Sequence, residues 1–280
     1  MCGIFGFISS GITHPGEFRR FANLLAEESA QRGQDATGFA GFANGEFLTD
    51  KRPIASKYFT HISPTWRKAI TSEKIALIGH TRHGTSGNKM NNKNNHPFHG
   101  PRFSVLHNGI VQAHEEIADA AKFKLQTHCD SELFIHFLNQ PKPIEENVAD
   151  IFAVLDDVAS MALAIIDRET GNVYVTRNNG NPAAFARIKR WNVLAFASTP
   201  TILSWSYNHL LRSDKTIEKL DAQTEVLYTI TPDGEMTSTK LDKKIAAARK
   251  ELQGTSLGRL LRDVRKLLIQ AQARHWLSRL

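Results

Sequence analysis

The chain opens Met1-Cys2-Gly3-Ile4-Phe5-Gly6-Phe7. An initiator Met is normally trimmed when the next side chain is small, and trimming here leaves a cysteine that carries a thiol and a free α-amine on one residue. Their ordinary pKa values lie close together, near ~8 for the amine and ~8.5 for the thiol. The amine can therefore take the thiol proton directly or through one water, and a separate histidine base is not required. The apolar run that follows, Ile4, Phe5, Phe7 and Ile8, reads as a strand that holds this end in a core. The competing reading is a frayed terminus with a chance cysteine.

Working outward, the remaining residues divide into a helix at 16–31 with Phe18, Phe21, Leu24 and Leu25 on one face, then strands at 36–42 and 45–49 joined by Asn44-Gly45, a strong hairpin signal. A strand covers 75–79, the Asn-rich polar stretch 86–95 reads as a mobile loop, and 103–107 is again a strand. Helical patterns occupy 114–121, 131–139 and 145–156, interrupted by Pro141 and Pro143. Strand pairs follow at 161–166 with 173–176, 185–188 with 193–197, and 225–230 with 235–239, the last joined through Pro232-Asp233-Gly234. Hairpins with helices grouped between them predict antiparallel sheets packed with helices, an α+β class, not a parallel βαβ sheet.

Composition bounds the function. The chain has 280 residues, 41% hydrophobic and 22% charged, ordinary for one large globular domain or one domain with an appendage. Two cysteines, Cys2 and Cys129, make no disulfide framework, and no apolar run approaches the ~20 residues of a membrane span. A reducing cytoplasm is the expected compartment. Of 35 Lys/Arg, ten lie in 243–280 with only two of the 28 Asp/Glu, so this tail carries net +8 and the body −1. The body offers no electrostatic footprint for nucleic acid; the tail alone could. Leu257, Leu260, Leu261, Val264, Leu267, Leu268 and Ala271 recur at helical spacing between the tail's arginines, so 243–280 reads as a basic amphipathic helix appended to a domain at 1–242. Its stripe either packs on the body or meets a partner.

Four short segments carry chemistry. Gln31-Arg32-Gly33-Gln34-Asp35-Ala36-Thr37-Gly38 taken alone is a helix exit with a local Arg32–Asp35 ion pair. In Gly79-His80-Thr81-Arg82-His83-Gly84-Thr85 an arginine at a strand end, followed by glycines and hydroxyls, suits a carboxylate ligand. In His107-Asn108-Gly109-Ile110 a side-chain amide beside a glycine N–H can form paired donors for an oxyanion, although Asn-Gly is also a common tight turn. In His128-Cys129-Asp130-Ser131-Glu132 the aspartate either caps a helix or receives an ammonium. Eight His and Cys residues fall between 80 and 129, but no CxxC or HExxH spacing occurs, and no metal or other cofactor is expected.

Each segment is weak by itself; in order they resemble the class II glutamine amidotransferases. The matching residues are Cys2-Gly3-Ile4, Arg32-Gly33-x-Asp35-x-x-Gly38, His80-Thr81-Arg82-x-x-Thr85, Asn95-His96-Pro97-Phe98, His107-Asn108-Gly109-Ile110 and Asp130-Ser131-Glu132. They look like the glutaminase domains of glucosamine-phosphate synthase and glutamine phosphoribosyl-pyrophosphate amidotransferase. The resemblance implies a four-layer αββα N-terminal-nucleophile hydrolase sandwich. It implies Cys2 as nucleophile with its own α-amine as base, and Asn108 and the Gly109 N–H as oxyanion hole. Arg82 with Thr85 would hold the α-carboxylate of L-glutamine, Asp130 its α-ammonium, and Arg32 would support the terminus. His83 and Ser86 depart from the family's pattern in the loop after the arginine. The resemblance covers about residues 2–240, and no synthase motif follows it. The expectation is therefore a glutaminase subunit that passes ammonia to a synthase partner in trans, with the tail as candidate docking element. An N-terminal-cysteine amidohydrolase of another amide, or a non-catalytic binding protein on the same fold, stay open.

Overall fold

The computed structural model describes residues 2–85, 87–211 and 217–277, with side chains to 270. Met1, Ser86 and the Ala271 side chain lie outside the described residues. In chain order the elements are β1 (Gly3–Ser9), α1 (Pro15–Ser29), β2 (Ala36–Ala43), β3 (Glu46–Arg52), α2 (Ser56–Ile62), α3 (Pro64–Ile70), β4 (Ile75–Arg82), β5 (Phe98–His99) and β6 (Phe103–Val111). Helices α4 (His114–Ala120), α5 (Glu132–Leu138) and α6 (Ile144–Leu155) precede β7 (Ala159–Asp167), β8 (Val173–Arg177), β9 (Ala184–Ile188) and β10 (Val193–Ala197). The chain continues through α7 (Pro200–Asn208), β11 (Ile217–Asp221), β12 (Val226–Ile230), β13 (Met236–Lys240), α8 (Asp242–Glu251) and α9 (Ser256–Leu277).

The strands form two sheets, ordered β11-β9-β10-β1-β4-β2-β3 and β13-β12-β8-β7-β6-β5. Their pairings are antiparallel. The two-residue period of a strand explains how they stack. On β1, Ile4 and Ile8 face the second sheet, and with Ala40, Ile78 and Phe196 they meet Leu106, Ala162 and Ala164 of that sheet. Phe5 and Phe7 point the other way, into Phe18, Phe21 and Trp66 of the outer helices. On β7 the alternation repeats: Ala162, Ala164 and Ile166 face inward, and Met161, Leu163 and Ile165 face the helices outside the second sheet. Each fully buried large side chain contributes about 1.5–3 kcal/mol. The result is helix, sheet, sheet, helix: the α+β, four-layer arrangement the motifs imply.

Helices α2, α3 and α7 and edge strand β11 do not emerge from periodicity. Each is short, and burial of Phe59, Trp66 and Tyr207 against the first sheet supports the helices. Their starts do carry local signals: Ser63 Oγ accepts from Trp66 N and Thr199 Oγ from Ile202 N, each ahead of a proline in the first turn.

The basic tail is two helices, split where Gly254 takes a left-handed conformation. Most of their apolar stripe is covered, with Leu267 left exposed. Ile245 and Leu261 are buried, and Leu257, Leu260, Val264 and Leu268 pack on the same cluster as Phe134 and Phe152. Lys244, Arg249 and Arg265 pair with Glu146, Asp156 and Asp157 of the body. Removing 243–280 would thus uncover a core layer, so that deletion reads stability before it reads docking. No described helix is long and apolar enough to cross a membrane.

Candidate active site

The site forms where β1 and β4 end side by side. Gly3 is opposite Thr81 in the ladder, so Cys2 falls beside the Arg82-His83 backbone. The His83 N–H donates to Cys2 Sγ at 3.4 Å, and the thiol faces His83 O at 3.5 Å. Cys2 is 8% exposed. Burial pushes its thiol pKa up; the His83 N–H and Arg82 oppose that, and Asp130 adds to it. Charges of both signs therefore reach one buried sulfur.

The Arg32-Gly33-x-Asp35 segment organises this corner. Arg32 Nε donates to Cys2 O at 2.7 Å. Gly33 lies against the Arg82-His83 peptide, where a β-carbon would collide with backbone. Asp35 accepts from Gly84 N at 2.9 Å and Lys89 Nζ at 2.6 Å. These contacts hold its carboxyl below the usual range, the Gly84 N–H contributing most. The local Arg32–Asp35 pair anticipated from spacing is thus replaced: the arginine turns to the terminus and the aspartate to the loop after β4. That loop is ordered by its own asparagines, with Asn94 Nδ2 on Asn88 O and Asn95 Nδ2 on Lys89 O. Thr85 sits exposed on it.

The second sheet supplies the opposite wall. His80 Nε2, on β4, meets His107 O of β6 at 3.0 Å, which brings the Asn108-Gly109 step against the first sheet. Both polar atoms of the Asn108 side chain are buried without a hydrogen-bond partner, an uncommon state for an amide. A β-carbon on Gly109 would run into the Ser160 carbonyl, so β6 and β7 approach this closely only with glycine there. Asp130 is 4% exposed. Its Oδ2 accepts from Val111 N at 2.8 Å, and it does not cap α5. Glu132 instead binds the preceding loop through Gln126 N and Thr127 N. Cys129 is buried, and burial raises its thiol to about 11, which suits an inert packing residue.

Three imidazoles fill the space behind the site. His80 and His96 stack at 3.9 Å, and both His96 nitrogens lack partners. His107 Nε2 faces Ser160 O, so this nitrogen carries the proton and Nδ1 accepts from Ser131 Oγ. Burial lowers all three pKa values, His80 to about 3 and His96 well below the ordinary value. The sign follows directly. Unfolded imidazoles bind a proton below about 6.5 and the folded ones do not, so stability falls as pH drops from there toward 3. Each imidazole contributes up to about 1.4 kcal/mol per pH unit within that window. Urea unfolding at pH 7 and pH 5 should show a clear loss, reduced in His80→Asn; equal midpoints would contradict the neutral-cluster assignment. Among the described residues no group of three or more His, Cys, Asp or Glu is placed to hold a metal ion.

Of the residues singled out from sequence, Cys2, Arg32, Arg82, Asn108, Gly109 and Asp130 lie at this junction, whereas Thr85 is at the surface of the loop. Asn95 was quotable as part of a motif, yet its partner was not. Its Oδ1 accepts from Arg82 Nη1 at 2.7 Å, a contact spanning 13 residues that no local pattern marks.

The chain is similar to known proteins in sequence and in fold. Residues 80–204 match a family described as a glutamine amidotransferase domain. Glutamine–fructose-6-phosphate aminotransferase (isomerizing) of Aquifex aeolicus is 25% identical over 246 residues, covering 86% of this chain and 39% of that protein. The enzyme of the same name from Staphylococcus aureus is 28% identical over 209 residues, covering 70% and 32%. In fold, the chain is similar to glutamine phosphoribosylpyrophosphate amidotransferase from B. subtilis, with a TM-score of 0.63 and 16% identity over 86% of this chain and 49% of that one. The chain spans less than half the length of each. Motif order, fold and the match over residues 80–204 point the same way: the chain resembles the class II glutamine amidotransferases.

Proposed function

We propose that this domain hydrolyses L-glutamine to glutamate and ammonia at Cys2. The observation that carries the reading is a buried thiol at a junction that also buries a cation and an anion, Arg82 and Asp130. That arrangement suits a zwitterion presented to a nucleophile. Once Met1 is removed, the α-amine of Cys2 takes the thiol proton. The sulfur attacks the side-chain amide carbon, and the carbonyl oxygen becomes an oxyanion held by Asn108 Nδ2 and the Gly109 N–H. The protonated amine returns its proton to nitrogen, ammonia leaves, and water opens the γ-glutamyl thioester to glutamate. Arg82 holds the α-carboxylate and Asp130 the α-ammonium, while Arg32 fixes the Cys2 carbonyl. Thr85 would join the carboxylate contact when its loop closes on substrate.

Asp130 and Arg82 make the site selective for a free amino acid, because an analogue that lacks either charge leaves a buried group unpaired. The purified, Met1-trimmed chain should release glutamate from glutamine and leave N-acetylglutamine untouched, the ratio of kcat/KM being about 10⁴ or more. Comparable rates on both would transfer the enzyme to another amide class.

The relatives' names imply transfer of the glutamine nitrogen to a second substrate. We propose that the ammonia acceptor site lies outside residues 1–280, on a partner polypeptide. This reading is supported by the match to only 39% of the Aquifex aeolicus enzyme's length, which leaves most of that enzyme without a counterpart in residues 1–280. The full chain should form a complex with a synthase-type partner and lend it glutamine-dependent activity; an isolated chain that itself aminates an acceptor would replace the partner.

A further inference from the structure

We infer that Lys51 is a positioning residue for the glutamine carboxylate, acting through Asn95 on Arg82. The inference rests on the glutamine site proposed above and adds to it a residue from outside the motif set.

Lys51 lies on β3, with β4 and β2 between it and the β1 strand that follows Cys2. Its ammonium donates to Asn95 O at 2.7 Å and to Pro97 O at 3.0 Å, and stands 5.5 Å from the Phe98 ring centroid. In return Asn92 Nδ2 donates to Lys51 O at 2.5 Å. No described carboxylate forms an ion pair with Lys51, and burial lowers its pKa to about 8. Taking a cation out of water without a counter-charge is costly. Lys51 is half-buried, its described partners are two carbonyls and a ring face, and what those bonds accomplish is to clamp residues 95–97.

The clamp ends on Arg82. Asn95 is 1% exposed, and its amide is used at both ends. Nδ2 donates to Lys89 O at 3.0 Å and Asn92 Oδ1 at 3.1 Å. Two acceptors on the nitrogen fix the amide's sense, so Oδ1 must face Arg82 Nη1, 2.7 Å away. A flipped amide would set N–H against N–H. The backbone position of Asn95 therefore sets where the guanidinium is held, and Lys51 sets the backbone position of Asn95. Asp35 ties the other root of the same loop through Gly84 and Lys89. The loop is thus anchored at both ends, by an acid at the β4 side and by a base at the β5 side.

The test compares Lys51→Met, which keeps the aliphatic stem and loses the donors, with Lys51→Arg, which restores donors and charge. Three measurements are made on the full, Met1-trimmed chain: glutamine KM and kcat, the rate of Cys2 alkylation by iodoacetamide, and the rate of Cys2 labelling by an electrophilic glutamine analogue that keeps the α-amino and α-carboxyl groups. Losing charge-assisted hydrogen bonds of this kind predicts a KM increase of about 10–100-fold in Lys51→Met, with kcat within about 3-fold. Analogue labelling should slow by the same factor, iodoacetamide labelling should hold at the wild-type rate, and Lys51→Arg should recover at least half of the loss on a logarithmic scale. A merely structural role would change the iodoacetamide rate and kcat together with KM, and that outcome overturns the inference. So does a wild-type KM in Lys51→Met. A wild-type chain that neither turns over glutamine nor reacts with its analogue overturns the glutamine reading as well, whereas an active wild type with an indifferent Lys51→Met removes the role of Lys51 alone.

Discussion

Replacing Cys2 with alanine is expected to abolish glutamine hydrolysis, with a loss of at least about 10⁴-fold in kcat, set by the background of water attack that the remaining groups can assist. No other described side chain is placed to substitute. Cys129 is buried with its thiol raised to about 11, and the neighbouring imidazoles are buried and neutral. The fold should survive, since the change removes a single sulfur at the end of a strand whose own contacts are made by Ile4, Phe5, Phe7 and Ile8. Two readouts check the point: glutamate release, and mass spectrometry of acid-quenched enzyme for the γ-glutamyl adduct on the N-terminal peptide. The wild-type chain should show the adduct and Cys2→Ala should not. Turnover within tenfold of wild type would remove Cys2 from the reaction.

Asn108→Ala is expected to separate activity from stability. If its amide is one of two donors for the tetrahedral oxyanion, kcat falls about 100–1000-fold with KM changed only a few-fold, because the interaction develops in the transition state. Stability should move the other way or hold. Both polar atoms of Asn108 are buried without partners in the free protein, and removing an unsatisfied buried amide relieves a desolvation penalty of about 1–3 kcal/mol, against which stands the cavity left by truncation. A melting temperature equal to or above wild type, with collapsed kcat, is the predicted signature of a group kept for catalysis at the expense of the fold. A drop in melting temperature of more than about 5 °C with kcat preserved would assign Asn108 to packing.

The parts of the fold legible in sequence are those with a short-range cause. Alternation of Ile4, Phe5, Phe7 and Ile8 gives β1 because side chains of a strand point to opposite faces and both faces here are covered. The hairpins at Asn44-Gly45 and Pro232-Asp233-Gly234 are readable because tight turns of two and three residues demand those residue types. Helices α2, α3 and α7 were not readable, since one or two turns are too short for periodicity to accumulate and their stability comes from Phe59, Trp66 and Tyr207 docking on a sheet assembled from distant segments. The tail shows the same limit. Its stripe and its charge are plain in the sequence, but either a partner or the body could cover that stripe, and only the packing of Leu261 and Val264 on the second helical layer decides for the body, Leu267 staying exposed.

The candidate site divides along the same line. The chemistry of each group is intrinsic to its residue type: a thiol beside an amine, a fork of donors, an amide next to a glycine, a carboxylate. Their order along the chain was enough to name the family they resemble. Which groups meet is a different matter. Spacing of three residues suggested that Arg32 and Asp35 pair, yet Arg32 bonds Cys2 O and Asp35 bonds the loop at Gly84 and Lys89. Lys51 carries no motif at all, and its bonds to Asn95 and Pro97 cross 44 and 46 residues. The amino-acid sequence by itself determined the alternating strands, the tight turns and the reactive groups, because those depend on neighbours within a few bonds. Only the tertiary structure decided the partners of each charge and the conformation of the loop beside Cys2, because closing two sheets on one another chooses among contacts that are equally open to a free chain.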